Sequence, residues 1–219
     1  MADYCNILRS HVPTDPLAVE VYRPDTQQVF EGTLNGNPLQ VTTTFATEVG
    51  DDVQDTPGSG TYDNYVEVTD DSGVLSMSVP AEWSDVSGVP WNYDGETVGY
   101  SIVAAPNIQG WYDTWDVPGV FFGASQTLRA QVSPTQLLDQ GPYDFSSSCT
   151  YDGRYDYEDP LYVGKYDLWL DCGGSGALLI VLAAEPFDQS SIILLQATAI
   201  YDEDLDAVDT VLNSFVAGF

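Results

Sequence analysis

The sequence predicts an α+β fold: a mostly antiparallel sheet of about six or seven strands, short helices, and a longer C-terminal amphipathic helix. Three patterns predict it. Short apolar–polar alternations broken by turn formers recur along the chain, residues 178–184 and 192–200 are apolar with little alternation, and residues 205–215 repeat apolar positions at helical spacing. The first pattern marks half-buried antiparallel strands, the second strands covered on both faces, and the third one stripe of a helix.

Taken in order, residues 1–16 contain two prolines and no periodicity, and read as an irregular arm. LAVEVY alternates, RPDTQ turns, and QVFEGTL precedes an Asn35-Gly36 turn before PLQVTTTFAT. That pattern predicts a small β-rich N-terminal segment of about three strands, either a meander of its own or an extension of the main sheet. The acidic, turn-rich EVGDDVQDTPGSG reads as a linker and sets a boundary near Gly60, dividing the chain into residues 1–60 and 61–219.

The second part opens with a predicted hairpin. Val66 and Val68 alternate on one arm, Leu75, Met77 and Val79 on the other, with the turn at residues 70–73. Pro80 ends it, and Trp83 is expected to fold back as an apolar anchor. SDVSGVPWNYDGET reads as a loop, VGYSIVAAP as a strand, NIQGWYDTW as one or two helical turns, and PGVFFGAS as a buried strand. SPTQLLDQ predicts a short helix with Ser133 as N-cap and Pro134 in the first helical position. Residues 148–186 then hold a tyrosine-rich acidic loop and two central strands. In the last helix Leu205, Val208, Leu212 and Phe215 form the apolar stripe, while Asp202, Glu203, Asp204 and Asp206 crowd the positive end of the helix dipole.

Thirty-four acids against five bases give a formal net charge of −29. Such a surface repels nucleic acid and anionic lipid, which need clustered Lys and Arg. Solubility, adaptation to high salt, and divalent cations among the carboxylates remain as readings of the acidity. No stretch approaches the roughly 18 consecutive apolar residues of a membrane span, so no membrane insertion is expected. MADYCNILRS has neither a basic nor an apolar leader region, which leaves a cytosolic protein or a piece of a larger secreted one. Of the three cysteines, Cys149 and Cys172 flank the central stretch. No CxxC spacing points to metal, so a structural disulfide is expected, placing the protein outside the cell or on its surface. Cys5 is left over.

The chemistry of catalysis finds little purchase. The single histidine, His11, lies in the irregular arm, where nothing holds it between a serine and a carboxylate. Ser175 in CGGSGA fits neither the GxSxG elbow nor GDSGG, and reads as part of a turn. Asp167 and Asp171 flank Trp169 and offer the paired acids of a glycosidase, although a solvated strand face is the simpler reading. For calcium, three oxygen-rich runs stand out at residues 70–73, 152–159 and 202–206, and none matches the EF-hand pattern. The middle one, with Asp152, Asp156, Glu158 and Asp159, is the candidate metal site, which Arg154 would alternatively neutralise. No organic cofactor is expected. Tyr151, Tyr155, Tyr157 and Tyr162, with Trp111 and Trp115 in earlier loops, are the candidate binding residues, since Tyr and Trp give large contact area at low entropy cost.

YVEVTDDSGVLSMSVPAEWSDV, PGVFFGAS, SCTYDGRYDYEDPLYVGKYDLWLDCGG and DLDAVDTVLNSF carry a resemblance. Residues 61–219 resemble an uncharacterised extracellular module that follows trypsin-like serine protease domains in actinobacteria and related bacteria. The hairpin running into VP-x-x-W and the terminal Ser-Phe pair also resemble the PsbP-like α/β/α sandwich. The resemblance implies a secreted, non-catalytic module tied to a protease polypeptide, and it carries no catalytic residue. The protease histidine motif and GDSGG are missing from this sequence. The expected function is therefore a non-catalytic extracellular accessory or binding module working through its acidic aromatic loop. Its partner would be a protease, a cell-wall component or another copy of itself. The alternative is a calcium-dependent surface or filament subunit that donates its N-terminal strand to a neighbour. A hydrolase using paired acids comes third.

Overall fold

A computed structural model describes residues 61–219 in full and, before them, the strand backbones of residues 17–23, 28–34 and 40–41. The chain forms two compact units, Met1–Glu48 and Val49–Phe219. In the first, β1 (Leu17–Arg23), β2 (Gln28–Leu34) and β3 (Gln40–Val41) make an antiparallel three-stranded sheet in that order. Cys5, His11, the Asn35-Gly36 turn and the acidic linker with its boundary near Gly60 lie outside the described residues.

The second unit contains β4 (Tyr65–Thr69), β5 (Leu75–Pro80), β6 (Asp85–Ser87), β7 (Trp91–Tyr93) and β8 (Glu96–Ala105). Helix α1 (Ile108–Asp113), β9 (Gly119–Ser125), α2 (Gln126–Arg129) and α3 (Pro134–Leu138) follow, then β10 (Thr150–Glu158) and β11 (Tyr162–Cys172). The chain closes with β12 (Ala177–Pro186), β13 (Ile192–Ala199), α4 (Asp202–Leu212) and β14 (Val216–Ala217). The main sheet runs β10-β11-β12-β13-β9-β8-β6, with β7 also on β8, and every pairing is antiparallel. The expected α+β class therefore holds.

Helices cover both faces of β12 and β13, as their lack of alternation requires. On one face Leu179, Val181, Ala183, Ile192 and Leu194 are buried with Leu128, Leu137 and Leu138 of α2 and α3. On the other lie Leu178, Ile180 and Leu182 of β12, all fully buried. There α4 packs between β13 and β5, and the Phe215 ring sits 5.3 Å from Phe122 of β9. Burying such large apolar side chains contributes about 1.5–3 kcal/mol each, which makes this two-sided core the main source of stability.

Several local expectations hold for stated reasons. Ser133 caps α3 in a reciprocal capping box with Gln136, with Pro134 at the helix start. The hairpin of β4 and β5 has its turn tied by Asp70, whose carboxylate accepts the Ser72 and Leu75 amides at 3.0 and 2.6 Å. Trp83 is fully buried. The β4-β5 hairpin is present and pairs with β14, apart from the main sheet. Two expectations are corrected. The loop expected at residues 84–97 contains β6 and β7. The tyrosine-rich acidic loop is a strand, β10, at one edge of the main sheet. In α4, Val211 is buried where Leu212 is only half-buried, and Asp204 and Asp209 are buried as well. Asp204 reaches the interior because its carboxylate accepts the Ile200 and Tyr201 amides and the Tyr62 hydroxyl, the last at 2.7 Å.

Candidate functional site

Strand β10 alternates short acids and tyrosines, so it presents polar tips on both faces and nothing that must be buried. Its pairing with β11 places Tyr151 opposite Trp169, Arg154 opposite Asp167, and Tyr155 opposite Tyr166, with a bulge between Tyr151 and Gly153. Cys149 and Cys172 are disulfide-bonded and close the open end of this hairpin. The expected bridge is present.

The hairpin's centre is one buried carboxylate. Asp167, 3% exposed, accepts two hydrogen bonds from Arg154, at 2.6 and 2.8 Å, and a longer one from Tyr151 at 3.2 Å. Arg154 also reaches Asp139 beside α3 at 2.8 Å. Burial, with the Asp167 charge adding to it, pushes the Tyr151 phenol above its ordinary range. Arg154 thus serves Asp167 and Asp139 rather than the four carboxylates of residues 152–159.

Those four are dispersed. Asp152 accepts the Tyr155 hydroxyl at 2.5 Å, and Asp156 is paired with Lys165. Asp159 accepts the Leu161 and Tyr162 amides at 2.6 Å each and the Tyr157 hydroxyl at 2.6 Å, building the turn between β10 and β11. Glu158 lies opposite Val163. Among the described residues no group of three or more His, Cys, Asp or Glu side chains is arranged to hold a metal ion.

The six aromatic candidates fall into two sets. Tyr157 and Tyr162 lie against Phe215 at 6.5 and 5.0 Å, and Tyr162, buried, accepts the Ala217 amide at 2.9 Å. They fasten α4 and β14. Tyr155, 41% exposed, stacks on Tyr166. On the opposite face Tyr151 begins a chain of rings through Trp169 and Phe145 to Trp115, with centroids 4.8, 6.0 and 6.1 Å apart. Trp115 rests on the turn after the disulfide: a Cβ at Gly173, whose φ is +65°, would collide with the indole. The Ser175 hydroxyl lies 2.8 Å from the Cys172 carbonyl and 3.2 Å from that of Trp115, so CGGSG is a structural turn. Trp111 stands on α1 and donates its indole N–H to Thr198 of β13 at 3.1 Å.

The paired acids proposed from sequence part company. Asp167 is held by Arg154, while Asp171, at φ 48°, accepts the Gly176 amide of the turn at 3.2 Å. Sequence reasoning missed Tyr112, Phe145 and Gln196, which gather around Trp111 and Trp115. Gln196 had a signal: its amide interrupts the apolar run IILLQATAI.

No family model matches the chain, and no curated protein matches it. Among solved structures the chain is similar to the solution structure of cyanobacterial PsbP (CyanoP) from Synechocystis sp. PCC 6803. The two share 15% identity over 75% of this chain and 98% of that one, with a TM-score of 0.41. The fold class rests on the strand order and pairing given above.

Proposed function

We propose that the chain is a non-catalytic extracellular binding module that accepts an extended, Lys- or Arg-bearing segment of a protein partner along the outer edge of β10. The observation that carries the reading is the edge itself. β10 spans nine residues and is hydrogen-bonded only to β11 among the described strands. An unpaired edge presents a row of backbone donors and acceptors that an added strand satisfies.

Charge selects the partner. Residues 150–172 hold six acids and two bases, a net −4, and both bases are engaged in internal ion pairs. Two copies of β10 side by side would set acid against acid, which opposes self-pairing, as does the bulge after Tyr151. A basic strand meets the opposite situation, and the chain's overall charge draws it in. The tyrosines beside the edge, Tyr151 and Tyr155, supply contact area.

The disulfide supports an oxidising compartment, outside the cell or on its surface. The sequence resemblance to a module that follows trypsin-like proteases favours a protease polypeptide as the partner class. A non-catalytic role is supported by the engagement of Ser175, Asp167 and Asp171 in structural bonds.

Calorimetric titration of the full chain with an alternating Lys/Val/Thr peptide, and with its Glu-substituted counterpart, tests the proposal. Binding of the basic peptide alone, weakening with added salt and in an Asp152→Lys, Glu158→Lys variant, is expected. Equal binding of both peptides, or binding untouched by the two substitutions, contradicts it.

A further inference from the structure

We propose that the aromatic hollow on the α1 side of the main sheet is a binding site for a neutral carbohydrate, separate from the β10 edge. Its walls are Trp111, Tyr112, Trp115 and Phe145, its floor includes Gln196 and Thr198, and it encloses about 180 Å³. A second hollow of about 410 Å³, with Trp91 and Tyr143 in its lining, adjoins it and shares Tyr112 and Gln196. Ligand pockets of roughly 300–1,000 Å³ hold small molecules, and the larger hollow, at about 410 Å³, falls in that range while the smaller extends the aromatic surface beside it.

The walls are built rather than incidental. Trp111 is oriented by its hydrogen bond to Thr198 at 3.1 Å. A Cβ on Gly119 would come within 2.9 Å of its ring, so glycine lets the indole lie close to the sheet. Trp115 is seated on Gly173, which has no room for a side chain on that side. Tyr112 is 61% exposed and stands 4.9 Å from Trp111, at the junction of the two hollows.

The chemistry of the lining chooses the ligand. No Lys, Arg or His lines either hollow, and the chain carries −29, so an anion is repelled. Asp113 is the one acid in the smaller hollow's lining, and one of its carboxylate oxygens accepts the Gln109 amide at 2.7 Å. Gln196 is half-buried and lines both hollows, where Thr198, Thr114, Ser87, Asn92 and Ser101 are the other neutral polar side chains. It offers both a donor and an acceptor from the floor. A sugar ring has the complementary surface, with apolar C–H faces for the indoles and hydroxyls that both give and take hydrogen bonds.

Tryptophan fluorescence and calorimetric titrations of the full chain with cellohexaose, xylohexaose, maltohexaose and chitotriose test this, with tetramethylammonium and indole as contrasts. At least one oligosaccharide should bind saturably. Tyr112→Ala and Gln196→Leu should each weaken that binding by roughly tenfold or more while the melting temperature holds. Tyr112 is exposed, so its variant folds even if Gln196→Leu does not. The proposal is overturned if no sugar saturates the protein, if binding survives Tyr112→Ala unchanged, or if indole or tetramethylammonium binds where the sugars do not.

Discussion

Replacing Arg154 by Leu removes the cation that holds β10 against β11, and the cost follows from what is left behind. Asp167 is 3% exposed and loses two charge-assisted hydrogen bonds, of 2.6 and 2.8 Å, keeping only the Tyr151 hydroxyl at 3.2 Å. Hydrogen bonds to charged groups contribute about 1.5–3 kcal/mol each, and removing one partner of a buried pair costs about 3–5 kcal/mol. The guanidinium side of the pair is 24% exposed, so water recovers part of the loss. About 2–4 kcal/mol remains, or roughly 5–12 °C in melting temperature for a unit of this size. Urea unfolding of Arg154→Leu and of the Arg154→Leu, Asp167→Leu double variant measures it. The double variant should regain more than half the loss, because the orphaned charge, rather than the missing contact, carries the cost. A single variant within about 0.5 kcal/mol of wild type, the range of ordinary surface substitutions, would refute this account of the hairpin.

Other expectations follow from the same bonds. Replacing both Cys149 and Cys172 by Ala frees a chain segment with a sequence separation of 23, and unfolding should become easier by about 3 kcal/mol; a loss under about 1 kcal/mol would mean that the hydrogen bonds of β10 and β11 already brace the hairpin. Two aspartates should respond to pH with opposite sign. Burial raises the Asp204 carboxyl pKa in the folded state, so wild type should lose stability relative to Asp204→Asn as pH climbs from the unfolded carboxylate value, about 3.9, through the raised one. Asp70 is pushed upward by burial, but its bonds to the Leu75 and Ser72 amides and the Ser72 hydroxyl prevail and lower its pKa; its stabilisation is present above about pH 4 and should vanish as pH falls through the lowered value, a loss absent from Asp70→Asn. Chemical denaturation across pH reads both, and parallel pH curves for either variant and wild type contradict the assignment. Because Asp156 and Asp159 are already engaged by Lys165, backbone amides and Tyr157, millimolar calcium should leave the melting temperature unchanged. An upward shift abolished by Asp156→Asn would instead favour the calcium-dependent reading.

The parts of the fold legible in the sequence are those where one force acts alone. The hairpin at β4 and β5 alternates and turns at Asp70, β12 and β13 are apolar throughout, and Ser133-Pro134 signals a helix start. Where burial and pattern diverge, the reading failed. β10 is an edge strand with exposed acids and tyrosines, so it has the composition of a loop, and only its pairing with β11 makes it a strand. β6 and β7 are three residues each, too short for a period to show. Asp204 resembles any acid in a first helical turn, and its burial depends on Tyr62, far away in sequence. The same distance hides the aromatic hollow, since Trp111, Phe145 and Gln196 line one pocket only once the sheet has formed.

The central claim is that the outer edge of β10 is where a partner strand is added. Amide hydrogen exchange of the full chain, with and without the alternating Lys/Val/Thr peptide, tests it most directly. Added main-chain hydrogen bonds should slow exchange across residues 150–158 by roughly tenfold or more and leave β6, at the opposite edge of the sheet, unchanged. Protection appearing at β6, or no new protection along β10 when the peptide is bound, would contradict the claim.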